Sequence, residues 1–492
     1  MQVPDERPAE LPPPDSTPPS AGAETAALAK TPLAWRVYIA VALLGLFAAA
    51  YWSRDTIGLR GQSLVGIFFF FGIVALFSTN LRAVNWRTIG WGIALQLLLA
   101  VLVLQGKVTF GGRDYSVYAL FEGLGDVVRS FLSYSNEGAN FVFGNLAHPD
   151  HMQSVFGDKY VFPFAFIALP TILFVSAFFT VLYHFGILQV CVRWLARIMV
   201  YLMRTSGAET LFVSVNVFMG QTEAPLIVKP YLPGMTNSEM FALMASGMAH
   251  ISGSMAAVYI GYGANPVAVL TTCVMACPCS LYLSKLFLPE LGRPATGGKM
   301  TIEKTKSPYV NAIDAVAAGT TDGLRLALNV AAMLIVFIAF VAMFNGLLGL
   351  IPTGWLAWTG CKVPEHFTLA WIFGKLFTPV AFLMGVEDAD QGKVGTLLAY
   401  KLSINEHFAF LTMKSWKALP DYMTPRSYQL AAYALTGFAN FSSVAIQLGG
   451  IGALAPERRH DLARLGMKAL FVGFVATLLN ASVAGLISDL AK

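Results

Sequence analysis

Residues 216–232 read NVFMGQTEAPLIVKPYL. Gln221, Thr222 and Glu223 stand between Gly220 and Pro225, so an amide, a hydroxyl and a carboxyl sit between two helix breakers. A broken helix frees backbone N–H and C=O groups. Those groups and the three side chains make a set of donors and acceptors that suits a polar solute. HISGS (250–254) follows as a second small polar break. A matching pair lies far downstream: KLSINEHFAF (401–410) carries Asn405 and Glu406, and GFANFSS (437–443) carries Phe438, Asn440 and Ser443. Two carboxylate-bearing interruptions, each followed by a span broken by small polar residues, form an internal repeat.

The surroundings are hydrocarbon. Of 492 residues 56% are hydrophobic and 12% charged, whereas a soluble domain carries about 25% charged residues. Repeated apolar runs of about 20 residues predict an all-α polytopic membrane protein, with the lipid bilayer as its partner. The short alternating strands of a membrane barrel do not occur. The net charge of +5 sits mainly in loops, where it reports topology and gives no sign of nucleic-acid binding. Cys191, Cys273, Cys277, Cys279 and Cys361 form no disulfide framework, and Cys277-Pro278-Cys279 lacks zinc-ligand spacing.

Nine spans are expected near 34–52, 62–80, 88–106, 160–186, 236–262, 264–287, 325–351, 428–450 and 466–489. The stretches 208–232 and 368–413 read as re-entrant hairpins, because non-helical backbone at membrane depth survives only where protein or a water-filled cavity covers it. This topology puts the N-terminus in the cytoplasm and the C-terminus outside, with arginines and lysines biased to the inner loops. The hairpins then enter from opposite faces, which is an inverted repeat with its site near the midplane. Segments 117–133, 188–204 and 308–324 read as amphipathic interfacial helices.

The expected division is a disordered Pro-rich tail (1–31), an extra N-terminal transmembrane helix (32–58), and scaffold helices with the first interfacial helix (59–187). A first transport half (188–290), an interfacial and scaffold segment (291–352) and a second transport half (353–492) follow. The tail lacks the basic start and apolar core of a signal peptide.

At these residues the chain resembles the concentrative nucleoside transporter family. The matching motifs are GQTEAPLIVKPYL (220–232), EGANFVFG (137–144), INEHFAF (404–410) and GFANFSSVAIQLGGIGALAPERR (437–459). The resemblance runs from about residue 62 to the C-terminus. It implies a homotrimeric symporter in a bacterial inner membrane. A transport domain with two hairpins and two partly unwound helices would move like an elevator against a scaffold. It also implies that Gln221, Thr222 and Glu223 contact the nucleobase of a uridine-like substrate. Glu406, Asn440 and Ser443 would hold the ribose, with Phe438 and Met255 lining the pocket. The chemistry agrees, because ribose hydroxyls suit a carboxylate. A site built to bond a hydroxyl also rejects a free base.

The resemblance places a possible sodium site at Asn216, Met219, His250 and Ile251. His250 stands where the family usually has Ser or Thr. Imidazole suits protons and transition metals better than sodium, so the sequence favours proton coupling through His250 or Glu223. His407 replaces the usual Phe after Asn405-Glu406, and the run at 385–393 makes the expected hairpin tip unusually polar. The rival readings are a nucleobase or modified-nucleoside symporter and, from another class, an intramembrane hydrolase built on His250 and Ser254. The hydrolase lacks a nucleophile elbow and a zinc motif, so the chain is not expected to be an enzyme or to need a cofactor beyond its coupling cation.

Overall fold

The computed structural model describes residues 30–110, 113–148, 151, 164–221, 223–297, 309–350, 368–417 and 422–488. Most of the Pro-rich tail, Thr222 and Cys361 lie outside that set. The tail's last residue, Thr31, is buried. Its hydroxyl donates to the Ser78 carbonyl at 2.9 Å and accepts from the Leu81 N–H at 3.1 Å, so this part of the tail is ordered against the bundle.

Apolar sequence becomes helix because a helix satisfies its own backbone where water is absent. α1 (Leu33–Trp52), α2 (Arg54–Leu76) and α3 (Trp86–Gln105) come first, and Gly58 at φ 61° kinks α2 near its start. A short antiparallel ribbon of β1 (Lys107–Phe110) and β2 (Arg113–Ser116) follows, which apolar periodicity did not announce. α4 (Val117–Phe143) continues past the expected interfacial segment, and α5 (Phe164–His184) comes next.

The first half of the repeat then begins. α6 (Ile187–Met203) buries Leu188, Val192, Ala196, Met199 and Met203, the spacing of one helix face. The first hairpin is α7 (Gly207–Val215), an irregular tip, and the short α8 (Ala224–Ile227). The following span is broken into α9 (Asn237–Ala249) and α10 (Gly253–Gly261), and α11 (Pro266–Phe287) closes the half.

α12 (Ala312–Leu348) is one unbroken helix of 37 residues, where an interfacial helix and a separate span were expected. Nothing between 312 and 348 breaks it. Gly319 and Gly323 instead let it approach α5, since a Cβ there would lie 2.7 Å from Ala177 Cα and 3.0 Å from Leu173 Cα. Small residues four apart are how membrane helices pack closely.

The second half is α13 (Leu369–Leu383), α14 (Gln391–Ser403), α15 (Glu406–Trp416), the broken span α16 (Pro425–Leu435) and α17 (Phe441–Leu454), and α18 (Arg459–Ile487). The expected hairpin at 368–413 therefore divides differently. α13 is a helix of its own, and the hairpin is α14 and α15 with its tip at Ile404 and Asn405. The polar run at 385–390 is the turn between α13 and α14. Gly385 sits there at φ 77°, and its carbonyl accepts from Arg426 Nε at 3.0 Å.

Among the described residues six helical spans are long and apolar enough to cross a membrane, or seven if the bent α5 and α6 count as one. The other expected spans are α5, α12 and the broken pair α16 and α17. α9, α11 and α18 pack on one another in the centre and are buried almost throughout. A polar bridge ties α3 to α11 and α18: Tyr282 donates to Gln96 at 2.8 Å, and Gln96 donates to Asn480 at 2.7 Å. Such bonds act as glue between helices inside lipid.

Candidate functional site

In both halves the outer ends are anchored first. Ser206 caps α7 and Thr236 caps α9, each with a reciprocal capping box through Glu209 and Glu239. Ser206 Oγ donates to Glu239 Oε1 at 2.5 Å, which links the two helix starts. Lys285 at the end of α11 balances the buried acids, with Nζ 2.7 Å from Glu209 and 3.1 Å from Glu290. In the second half Asp390 occupies the N-cap position of α14 and turns its side chain to the neighbouring span. Its carboxylate accepts from the Thr424 N–H at 2.9 Å, and Thr424 is the cap of α16. The inner ends of the hairpins and broken spans are thereby held against each other.

Those inner ends converge. Phe438 N–H donates to the His250 carbonyl at 3.0 Å, so the two helix breaks touch. Gly437 permits this approach: a Cβ at its φ of 153° would meet Thr477 Cγ2 at 2.6 Å and the Ala249 carbonyl at 3.0 Å. Around the contact lie the sequence-predicted polar residues. Glu406 is buried, accepting from Tyr259 Oη at 2.9 Å and Asn440 Nδ2 at 2.8 Å. Asn440 also caps α17, its Oδ1 accepting from the Ser443 N–H at 2.8 Å. Gln221 donates to Ser443 Oγ at 3.0 Å and accepts from Gln447 Nε2 at 3.0 Å. The amide from the first half and the carboxylate from the second are thus joined through Ser443 and Asn440.

The remaining predicted residues among the described ones have different surroundings. The Phe438 ring reaches within 3.8 Å of a Cβ position on Gly220. Met255 is buried, with its N–H on the Ser252 hydroxyl at 3.2 Å. Glu223 is only partly buried and accepts from the Gly220 N–H at 3.4 Å. It does not bond to the Gln221–Ser443 pair. His407 is buried, with Nε2 3.3 Å from Tyr262 Oη.

The candidate cation residues form a second cluster. Asn216 ends α7 and His250 ends α9. Asn216 Nδ2 donates to Ser246 Oγ at 3.1 Å, and its Oδ1 is a buried oxygen without a hydrogen-bond partner among the described residues. His250 Nδ1 lies 2.8 Å from the Ser246 carbonyl. A carbonyl only accepts, so Nδ1 carries the hydrogen. Nε2 faces Cys277 Sγ at 3.5 Å. Ile251 is fully buried, and the Met219 side chain faces a small apolar cavity beside Tyr183 and Leu188. The cluster offers one orphan oxygen and backbone carbonyls, while His250 contributes an N–H and no oxygen.

Residues 65–146 match the family described as Na+ dependent nucleoside transporter N-terminus, 165–266 match nucleoside recognition (gate), and 268–485 match Na+ dependent nucleoside transporter C-terminus. An uncharacterized transporter of Haemophilus influenzae is 38% identical over 432 residues, covering 86% of this chain and 97% of its own. Sodium/nucleoside cotransporter 1 of Homo sapiens is 34% identical, covering 91% of this chain and 67% of its own. Solute carrier family 28 member 3 of Mus musculus is 34% identical over 92% of this chain, which spans 63% of that relative. The solved structure of CNTnw in an inward-facing substrate-bound state superimposes with a TM-score of 0.77 at 34% identity, over 87% of this chain and 98% of that one. A doubly substituted CNTnw in an outward-facing state gives 0.76 over 88% and 99%.

The chain belongs to the concentrative nucleoside transporter family. Its members are membrane transporters and not enzymes. Within this member, sequence reasoning missed Tyr259 and Gln447. Both were within reach of helical spacing: Tyr259 is four residues from Met255 and Gln447 four from Ser443, each on the same helix face. Ser246, four before His250, was available by the same rule. Lys401 carried no signal beyond being a charge inside an apolar stretch.

Proposed function

We propose that this transporter is a symporter that accumulates nucleosides by alternating access, coupled to protons in preference to sodium. The observation that carries the substrate reading is Glu406. A buried carboxylate, oriented by Tyr259 and Asn440, keeps further lone pairs for a pair of adjacent hydroxyls. The Gln221 amide, joined to Glu406 through Ser443 and Asn440, supplies the mixed donor and acceptor that a base edge needs. Thr222 and Glu223 complete the base side, and Phe438 and Met255 are the pocket walls. The Haemophilus relative matches the chain over nearly its whole length, and two CNTnw structures in opposite-facing states support alternating access. The working assembly is an elevator-type homotrimer in a bacterial inner membrane, with the N-terminus cytoplasmic.

His250 carries the coupling reading. Its carbonyl is already bonded to Phe438, and its ring is committed to Ser246 and Cys277. Asn216 Oδ1 and the Met219 and Ile251 carbonyls remain for a cation, but the His250 side chain adds an N–H to them where a Ser or Thr would add an oxygen. A protonatable ring at the end of a half-helix is a natural proton-coupled counterpart. The test is labelled uridine uptake into proteoliposomes under an imposed pH gradient and then an imposed sodium gradient, with uracil as competitor. Accumulation driven by the pH gradient and indifferent to uracil is expected. Sodium-driven accumulation would overturn the coupling reading alone, and His250→Ser should move uptake towards sodium dependence. No accumulation under either gradient would overturn the substrate reading.

A further inference from the structure

Lys401 is fully buried in the last turn of α14. An ammonium taken out of water costs several kcal/mol unless its donors are answered. Nζ donates to the Ala434 carbonyl at 2.7 Å and to Thr477 Oγ1 at 2.8 Å, and lies 5.4 Å from the centroid of the Phe474 ring. Among the described residues it makes no ion pair, and its two donated bonds go to neutral oxygens. Ala434 is in the last turn of α16, just before the second helix break. The C-terminal end of a helix carries partial negative charge and attracts cations. In the first half the corresponding feature is the Ser246 carbonyl in the last turn of α9, which receives His250 Nδ1–H at 2.8 Å.

The geometry points to Lys401 as a built-in cation: its ammonium occupies the place, at the broken end of α16, where a diffusible coupling cation would otherwise bind. The inference rests on the nucleoside-symport reading and adds to it. One side chain ties the hairpin arm α14 to the broken span α16 and, through Thr477 and Phe474, to α18. The second break is therefore ordered without an ion from solution, and coupling is confined to the first half, where Asn216 and His250 lie. Lys401 is a positioning residue, since it touches the frame beside Glu406 and not the substrate.

The test is uridine uptake into proteoliposomes by Lys401→Ala, Lys401→Met and Lys401→Arg, with and without added methylammonium. Lys401→Ala should lose uptake by roughly tenfold to a hundredfold, the range for unanswered buried polar groups, and regain it several-fold as methylammonium rises. Lys401→Met fills the space without charge and should be impaired with no recovery. Folded Lys401→Ala that no small cation restores, or Lys401→Met with wild-type uptake and cation dependence, overturns the proposal. Should Lys401→Ala fail size-exclusion chromatography, the other pair decides: uptake retained by Arg and lost by Met supports the charge, and equal behaviour overturns it. Wild-type vesicles run alongside: their failure to accumulate uridine would indict the substrate reading instead.

Discussion

The two halves of the repeat are built alike at their outer ends and differently at their inner ends. Outside, each ties the cap of a hairpin arm to the cap of a broken span. Ser206 reaches Glu239 beside Thr236 in one half, and Asp390 reaches Thr424 in the other, each with a lysine against the acid. Inside, α7 ends at Val215 and α8 begins only at Ala224, whereas α14 ends at Ser403 and α15 begins at Glu406. The first half's broken end is met by an imidazole from its own chain segment, and the second half's by an ammonium from the facing hairpin. An imidazole can gain or lose charge while keeping its Nδ1–H bond, whereas the ammonium is clamped by three groups. On the coupling proposed above, adjustment belongs to the first half and rigidity to the second.

The comparison breaks most sharply at Glu406. Glu406→Gln keeps the shape and one acceptor but removes the charge, and should weaken uridine binding by about tenfold to a hundredfold, since hydrogen bonds to charged groups are worth about 1.5–3 kcal/mol. Isothermal titration in detergent reads it, and unchanged affinity would remove the ribose role. A smaller effect is expected at the joint between the halves. Gln447→Ala frees Gln221 Oε1 and should cost about 1 kcal/mol of uridine binding. A double-mutant cycle with Gln221→Ala should be non-additive, because the two amides are bonded; strict additivity would mean that Gln447 acts elsewhere. The smallest effect belongs to the anchors. Ser206→Ala should lower stability by about 1 kcal/mol through loss of a cap. A thermal melt should shift down while uridine affinity holds, and a loss of affinity instead would show that the base of the first half shapes the site.

Much of this organisation was legible from local rules. Gly220 with Pro225, and the small polar residues at 250–254 and 437–443, marked the breaks correctly, because a breaker acts on its own backbone. The polar run at 385–390 misled for the same reason. Its charges signal an interruption, but only packing reveals a turn between two helices, with Asp390 accepting from the Thr424 N–H and Arg426 donating to the Gly385 carbonyl. The amphipathic reading of 308–324 failed because no local signal separates an interfacial helix from the first turns of a long one, and the close fit of Gly319 and Gly323 on α5 keeps α12 continuous.

The sequence by itself determined the solvent, the helical class, the places where helices must break and the residue types at each break. These follow from hydrophobicity, periodicity and backbone sterics, all local properties. The tertiary structure decided which of those residues meet. Gln221 and Ser443 are 222 positions apart, Tyr259 and Glu406 147, and Lys401 and Thr477 76. Hydrogen bonding acts over about 3 Å, so no property of either partner's neighbourhood encodes the pairing. It arises when two anchored halves bring their broken ends together.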